Sequence, residues 1–266
     1  MLPDMILLVC CLIKMFMASL PPVLERLNNS PTSELILGLQ YKAKIDSVHP
    51  LCARTNFEQL DSCFLGVSLE NSNFQPAKVK AMVEWISRRF SHCLVLVGDS
   101  IHRINIELKR SLDQETALVE ALEIGRAFVR EQEHIFKAFG EQTKFTFETC
   151  SQIQTWDDYA HFHQYLQIYF KSNAKFRSSV EAFSRNYQIR RYSNQSDTLL
   201  EQRIRRSCDY FLEEFAIFAC LQKRGFSVMV YPGTFSTLTE IVNGDYPDIL
   251  EEIKQLIIVS LHFKKR

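Results

Sequence analysis

The amino-acid sequence predicts an α/β fold: a mostly parallel sheet with helices on both faces. Three observations carry that expectation. Short runs such as Ser62–Val67 (SCFLGV) and Cys93–Val97 (CLVLV) are largely apolar, as strands covered on both faces must be. Helical stretches long enough to cross over between parallel strands separate them. No internal repeat, low-complexity tract or linker divides the chain. At 266 residues and 46% apolar content, one domain over residues 31–266 is expected, after an apolar extension over residues 1–30.

The elements follow in order. Ser62–Val67 is the first strand. Pro76–Phe90 reads as a helix, because proline in a first turn presets φ and lacks only an N–H that would have no helical partner there. Cys93–Val97 is the second strand and runs into Gly98 and Asp99. A helical region spans His102 to about Phe139, with a break expected near Gly125 or before it. Lys144–Thr149 alternates as a strand does. Trp156–Arg191 and Asp197–Lys223 are long helical stretches on either side of the polar tract SNQS. Phe226–Tyr231 is again strand, Leu238–Val242 a short helix, and Gln255–Phe263 passes from helix into a last strand.

The N-terminal segment MLPDMILLVCCLIKMFMASLPP is apolar over the length of a signal-peptide core and reaches small residues at Ala18 and Ser19. It lacks a basic leader, and Lys14 interrupts it short of the ~20 apolar residues a spanning helix needs. It reads as an export signal or anchor, as a helix packed on the domain, or as an over-long start. The last two leave the protein in the cytoplasm, which is the expected location.

Lys plus Arg and Asp plus Glu are equal at 31 each, so no overall field draws the molecule to nucleic acid or an anionic membrane; any such contact must come from a local patch. The eight cysteines form no CxxC pair and no zinc-spaced cluster with histidine. Reduced thiols are expected, with no metal and no cofactor. A GxxxxGKS phosphate loop is also absent from the sequence.

Ligands of open α/β sheets bind beyond the carboxyl ends of strands. Ser68, Asp99 and Tyr231 stand at such ends. A serine after a strand suggests a nucleophile, but the GxSxG elbow fails at its second glycine, which is Glu70, and the helix start is as late as Pro76. A loop serine bonded to nearby backbone is the ordinary alternative.

Three motifs taken together say more: GVSLENSNF from Gly66, CDYFLEEFAIF from Cys208 and VMVYPG from Val228. In order and rough spacing they resemble the cyclodipeptide synthases, over about Phe64 to Phe263. The resemblance implies a single Rossmann-like domain similar to the catalytic domain of class I aminoacyl-tRNA synthetases. It implies an aminoacyltransferase that uses two aminoacyl-tRNAs in sequence and releases a cyclic dipeptide, a diketopiperazine, by a ping-pong route through aminoacyl-serine and dipeptidyl-serine. Ser68 would be the nucleophile, with Gly66 and Asn71 completing its motif. Tyr210 and Glu214 would hold the amino group of the aminoacyl moiety. Tyr231, followed by Pro232, would relay protons. Asn71 and Pro232 together mix the patterns of two subfamilies, one pairing Asn with Tyr-His and the other usually lacking the Asn and carrying Tyr-Pro.

The residues suit that chemistry. Aminoacyl-tRNA is already an activated ester, so no ATP is needed, and the chain has neither the HIGH-like nor the KMSKS-like segment of sheet-based synthetases. A serine hydroxyl still needs a proton acceptor. His102, His134, His161 and His163 lie on presumed helix faces, and no motif places one as a base. Tyr210 and Glu214 are four apart and share a helix face; Glu213 would serve nearly as well on spacing, and the resemblance selects Glu214. Leu65, Val67 and Val97, on strands beside Ser68, are candidate walls of a first pocket.

RNA phosphates call for basic patches. Lys78, Lys80, Arg88 and Arg89 fall on or beside the first helix, and Arg103, Lys109 and Arg110 open the second. A further basic stretch runs from Lys171 through Arg190 and Arg191 to Arg206. A monomer is expected. The rival readings are a serine hydrolase acting on aminoacyl or small esters, and an inactive tRNA-binding or membrane-tethered protein.

Overall fold

The computed structural model describes residues 40–191, 196–234 and 236–266; the apolar extension and most of the SNQS tract lie outside them. In chain order the elements are β1 (Tyr41–His49), β2 (Ser62–Val67), α1 (Pro76–Ser87), β3 (His92–Val97), α2 (Asp99–Arg110), α3 (Gln114–Lys137), β4 (Lys144–Thr149), α4 (Cys150–Ile153), α5 (Asp157–Ser172), α6 (Ala174–Arg191), α7 (Asp197–Lys223), β5 (Val228–Tyr231), α8 (Ser236–Val242), α9 (Glu251–Lys254) and β6 (Ile257–Lys265).

The six strands form one sheet in the order β1-β6-β5-β2-β3-β4. Only β1 with β6 is antiparallel; the other pairings are parallel. The expected mostly parallel α/β sheet is therefore present. From β2 the chain lays down β3 and β4 on one side, then returns to place β5 and β6 on the other. The strand order reverses between β2 and β5, and a crevice opens beyond their carboxyl ends.

Alternation along each strand sorts side chains between two cores. Cys63, Leu65, Val67, Val95, Val97 and Val230 pack on the side of α1 and the end of α3. Phe64, Leu94, Leu96, Met229 and Ile258 pack against α7, whose segment from Phe211 to Leu221 is buried throughout. A helix apolar all round belongs in an interior, and α7 lies there between the sheet and α5, α6 and α9.

One boundary falls within the expected range and one differs, each for an identifiable reason. The break in the helical region after His102 falls at residues 111–113, where Ser111 takes φ +56° and Asp113 caps α3 by accepting from Thr116 N at 2.9 Å. Gly125 instead lies inside α3, where a Cβ would come within 2.7 Å of Asp99 Cβ; glycine is there for close packing, not for a turn. The stretch from Trp156 divides at Asn173, whose side chain accepts from Phe176 N at 2.9 Å and starts α6.

β1 is an element the sequence reading passed over. Tyr41, Ala43 and Ile45 alternate with Lys42, Lys44 and Asp46, an edge-strand pattern that shifts register between Ile45 and Ser47. Among the described residues no helix is long and apolar enough to cross a membrane, and no cluster of three or more His, Cys, Asp or Glu could hold a metal.

Candidate active site

β2 delivers Ser68 to the crevice half-buried, and the chain then turns through Leu69 and Glu70, the latter at φ +56°. The turn is stitched to the loop after β5. Asn71 Oδ1 accepts from Asn73 N at 2.9 Å, Asn73 Nδ2 donates to Pro232 O at 3.1 Å, and Lys78 Nζ donates to Asn73 Oδ1 at 3.0 Å. With the two loops joined and β2 paired to β5, Ser68 Oγ lies 3.0 Å from Tyr231 Oη. Burial pushes the Tyr231 phenol up to about 12; hydrogen bonds to Ser68 and Asn71 act against that rise, and Glu214 and Tyr187 add to it. The phenol is therefore protonated at neutral pH and acts as a hydroxyl, not as a phenolate base.

Helix α7 brings the other wall. Glu213 and Glu214 are neighbours with opposite fates. Glu213 accepts both guanidinium nitrogens of Arg103, at 2.9 and 2.5 Å, and Gln154 Nε2 at 3.1 Å. Glu214 lines the crevice, and its Oε2 is buried with no hydrogen-bond partner. Burial alone pushes its carboxyl up to about 8, which favours the protonated form at neutral pH. Tyr210, one turn before, is raised well above the ordinary phenol range by burial, then by Glu214, Tyr231 and Tyr187. Spacing left Glu213 and Glu214 equivalent; packing separates them.

The crevice encloses about 870 Å³. Beneath it lies a chamber of about 10 Å³, room for roughly one water. Its walls are Gly66, Leu96, Ile101, Cys150, Phe218 and Met229, and Ser68, Glu214 and Tyr231 border both spaces. A hydroxyl, a protonated phenol and a carboxyl with an unpartnered oxygen thus border both the large cleft and the small hole beneath it. Such a set can take up an acyl group at the serine and hold an adjacent amine at the carboxyl.

The family model for cyclodipeptide synthases matches residues 47–246. The chain belongs to that family. No curated protein matches it at a significant level. Among solved structures, a cyclodipeptide synthase from Fluoribacter dumoffii is 22% identical with a TM-score of 0.70, covering 85% of this chain and all of that one. The enzyme from Candidatus Glomeribacter gigasporarum, solved bound to Phe-tRNAPhe, is 15% identical with a TM-score of 0.58, over 83% of this chain and 94% of its own. A Mycobacterium tuberculosis protein, described as demonstrating that cyclodipeptide synthetases are related to type I tRNA synthetases, is 14% identical with a TM-score of 0.55, over 79% of this chain and 87% of its own. At these identities the likeness speaks for the fold, which cyclodipeptide synthases share.

Within that fold, Ser68, Asn71, Tyr210, Glu214 and Tyr231 come together around one cleft, and Gly66 borders the chamber below. Val67, the last residue of β2, also borders it, but Leu65 and Val97 line neither space: both are wholly buried in the core toward α1. The basic residues do not form one set. Lys78 lies over the Tyr41 and Phe263 rings, Arg88 pairs with Glu84, and Arg89 pairs with Glu58 and stacks on Trp85; Lys80 is exposed on α1. Lys109 and Arg110 reach Glu70 at the cleft rim, at 3.0 and 3.4 Å. Arg103 stands apart from them all, its side chain only 13% exposed in the pair with Glu213.

Asp99, the other strand-end residue, is structural here. Its carboxylate accepts from Ser100 N, Ser151 N and Ser151 Oγ at 2.6 to 2.8 Å and joins α2 to α4. The far wall of the cleft is His102 and Asn105 from α2 and Tyr187 and Arg190 from α6; sequence reasoning put His102 on a helix face and Arg190 in a basic stretch without assigning either to the cleft, and missed Asn105 and Tyr187. His102 and Asn105 are three apart, as are Tyr187 and Arg190, so helical spacing was the available signal; which faces meet is a tertiary matter.

Proposed function

We propose that the protein joins two aminoacyl-tRNAs into a cyclic dipeptide by way of esters on Ser68. The observation that carries this reading is the 3.0 Å contact of Ser68 Oγ with Tyr231 Oη beside the unpartnered carboxyl oxygen of Glu214. The serine oxygen attacks the aminoacyl carbonyl carbon, a new ester bond forms, and the bond to the terminal ribose oxygen breaks. The serine proton passes through the Tyr231 hydroxyl to the substrate's own vicinal hydroxyl or amino group and leaves with the ribose oxygen. The first residue stays on Ser68 with its amine against Glu214 and Tyr210. The amine of the second aminoacyl-tRNA then attacks that ester, forming the peptide bond and freeing the Ser68 hydroxyl; Ser68 takes the dipeptide from its tRNA ester and releases the second tRNA, and the free amine attacks the dipeptidyl-Ser68 ester, closing the ring and freeing the serine.

An ammonium group supplies the partner that Glu214 Oε2 lacks, in a charge-assisted hydrogen bond of about 1.5 to 3 kcal/mol. Both tRNAs are substrates in turn, no ATP or metal enters, and one copy of the chain contains every group invoked. Charged tRNA is made and used in the cytoplasm, so in this reading the protein works there. The test is to mix the protein with charged tRNA labelled in its amino acid. Label held on the protein, and a diketopiperazine in the mass spectrum after longer incubation, support the reading; free amino acid as the sole product supports an ester hydrolase instead.

The first side chain points at the chamber beneath Ser68, which has room for about one water and must widen to admit anything larger than a methyl. A Cβ added at Gly66 would sit 3.5 Å from the Tyr231 ring, an ordinary contact, so Gly66→Ala is expected to fold and to narrow the hole. Its expected result is a loss of about tenfold in acylation by larger apolar residues relative to alanine, within the 1 to 3 kcal/mol that one methyl commands. An unchanged preference across charged tRNAs would remove the side chain from this chamber.

The tRNA backbone is held by Lys78, Lys80, Arg88, Arg89, Lys109 and Arg110 in this reading. Several of these pair with carboxylates, so RNA must compete for them, and log Kd is expected to rise linearly with log salt. Binding measured between 50 and 200 mM salt that stays constant would exclude these contacts.

A further inference from the structure

The Arg103–Glu213 pair is buried, adjacent to the site and unused in the reaction above. Arg103 comes from α2 and also donates to Ser100 O at 2.9 Å; Gln154, just past α4, donates to the same carboxylate. The side chains of Arg103 and Glu213 are 13% and 9% exposed. A guanidinium this enclosed is poorly placed to meet RNA phosphate, and separating the pair would strand a charge in the interior.

We propose that the Arg103–Glu213 pair positions Glu214, pinning α7 in the rotation that turns the next carboxyl into the cleft. Successive residues of an α-helix point about 100° apart. With Glu213 clamped to α2 and to the segment after α4, Glu214 has one direction left, toward the ends of β2 and β5. The bidentate fork matters, because two parallel bonds fix orientation where a single contact fixes only distance. The pair also silences its own charge. The Glu214 charge would be felt by Tyr210 on its own helix, Tyr231 at the end of β5 and Cys150 on α4, while His102 from α2, Tyr187 and Arg190 from α6 and Glu70 after β2 line the same cleft. The first three are held neutral by burial, so the Glu214 carboxyl stays available for a substrate ammonium.

This inference rests on the reading of Glu214 as the amine-binding group, and its test separates the two. In Glu213→Gln the buried Arg103 loses its carboxylate and α7 loses its clamp, so Glu214 is free to turn toward the guanidinium, in competition with Glu107, whose charge already acts on Arg103. The expected result is a fall of about tenfold or more in kcat for cyclic dipeptide, with KM for charged tRNA changed less than about twofold. In the free protein, ¹³C NMR of the Glu214 carboxyl, assigned by its loss in Glu214→Gln, is expected to titrate at lower pH in Glu213→Gln than in wild type. Arg103→Lys keeps the charge and loses the fork, so it should move both quantities in the same direction by less; it carries the test if Glu213→Gln does not fold. A Glu213→Gln protein with wild-type kcat and an unmoved Glu214 titration overturns the proposal, as does a lowered melting temperature with both readouts unchanged. If wild type forms no acyl-Ser68 but the titration still shifts, the positioning stands and the amine-binding reading falls.

Discussion

Ser68→Ala is expected to remove all covalent label from charged tRNA and to lower cyclic dipeptide formation by at least about a thousandfold. The effect is large because both proposed intermediates are esters of this one oxygen. Water could hydrolyse the substrate in the variant, but it would give free amino acid and not a ring. The fold should be unaffected: Ser68 is half-buried, and the loop is held by Asn71, Asn73 and Pro232 independently of its hydroxyl. Tyr231 would lose Ser68 as a hydrogen-bonding neighbour and keep Asn71. Label retained on the alanine variant would place the nucleophile elsewhere and end the serine mechanism. Melting curves recorded alongside guard against a trivial loss through misfolding.

Glu214→Gln should change activity and stability in opposite directions at alkaline pH. The amide keeps the shape and loses the charge, so acylation and ring formation should drop about ten- to a hundredfold, the value of a charge-assisted bond to the amine. For stability, the sign follows from the protons. Folded Glu214 keeps its proton up to about 8, whereas an unburied glutamate loses it near 4.5. Between those values the folded state binds more protons, so this residue's contribution is fully present below 4.5, declines as pH rises toward 8 and is gone above it. Glutamine has no such slope. Relative to wild type, the variant should therefore gain stability from pH 4.5 to pH 8, on the order of a few kcal/mol. Denaturant unfolding at the two pH values measures the difference; parallel pH profiles for the two proteins would show that burial does not hold Glu214 protonated.

Particular residues show where sequence reading reached and where it stopped. Ser62–Val67 was legible as a strand because a strand covered on both faces has no polar alternation to confuse it. Gly125 was misleading, since glycine signals both a turn and a close approach, and only the position of Asp99 shows which applies. β1 escaped because an edge strand with charges on its outer face resembles a polar loop until its partner β6, more than 200 residues later, is known. The carboxylates of α7 were ambiguous for the same reason: spacing gives a helical face but not what the face meets.

The sequence by itself determined the alternation of strands and helices, the strand end that presents Ser68, and the linked motifs that mark the family. These are local, written in runs of a few residues and in periodicity. The tertiary structure alone decided that Glu213 belongs to Arg103 and Glu214 to the cleft, that Leu65 and Val97 are buried in the core toward α1 and line neither space, and that Tyr187 and Asn105 close the far wall. Those outcomes depend on which elements lie side by side, and contact between residues distant in the chain is set by packing and desolvation, which no short stretch of sequence records.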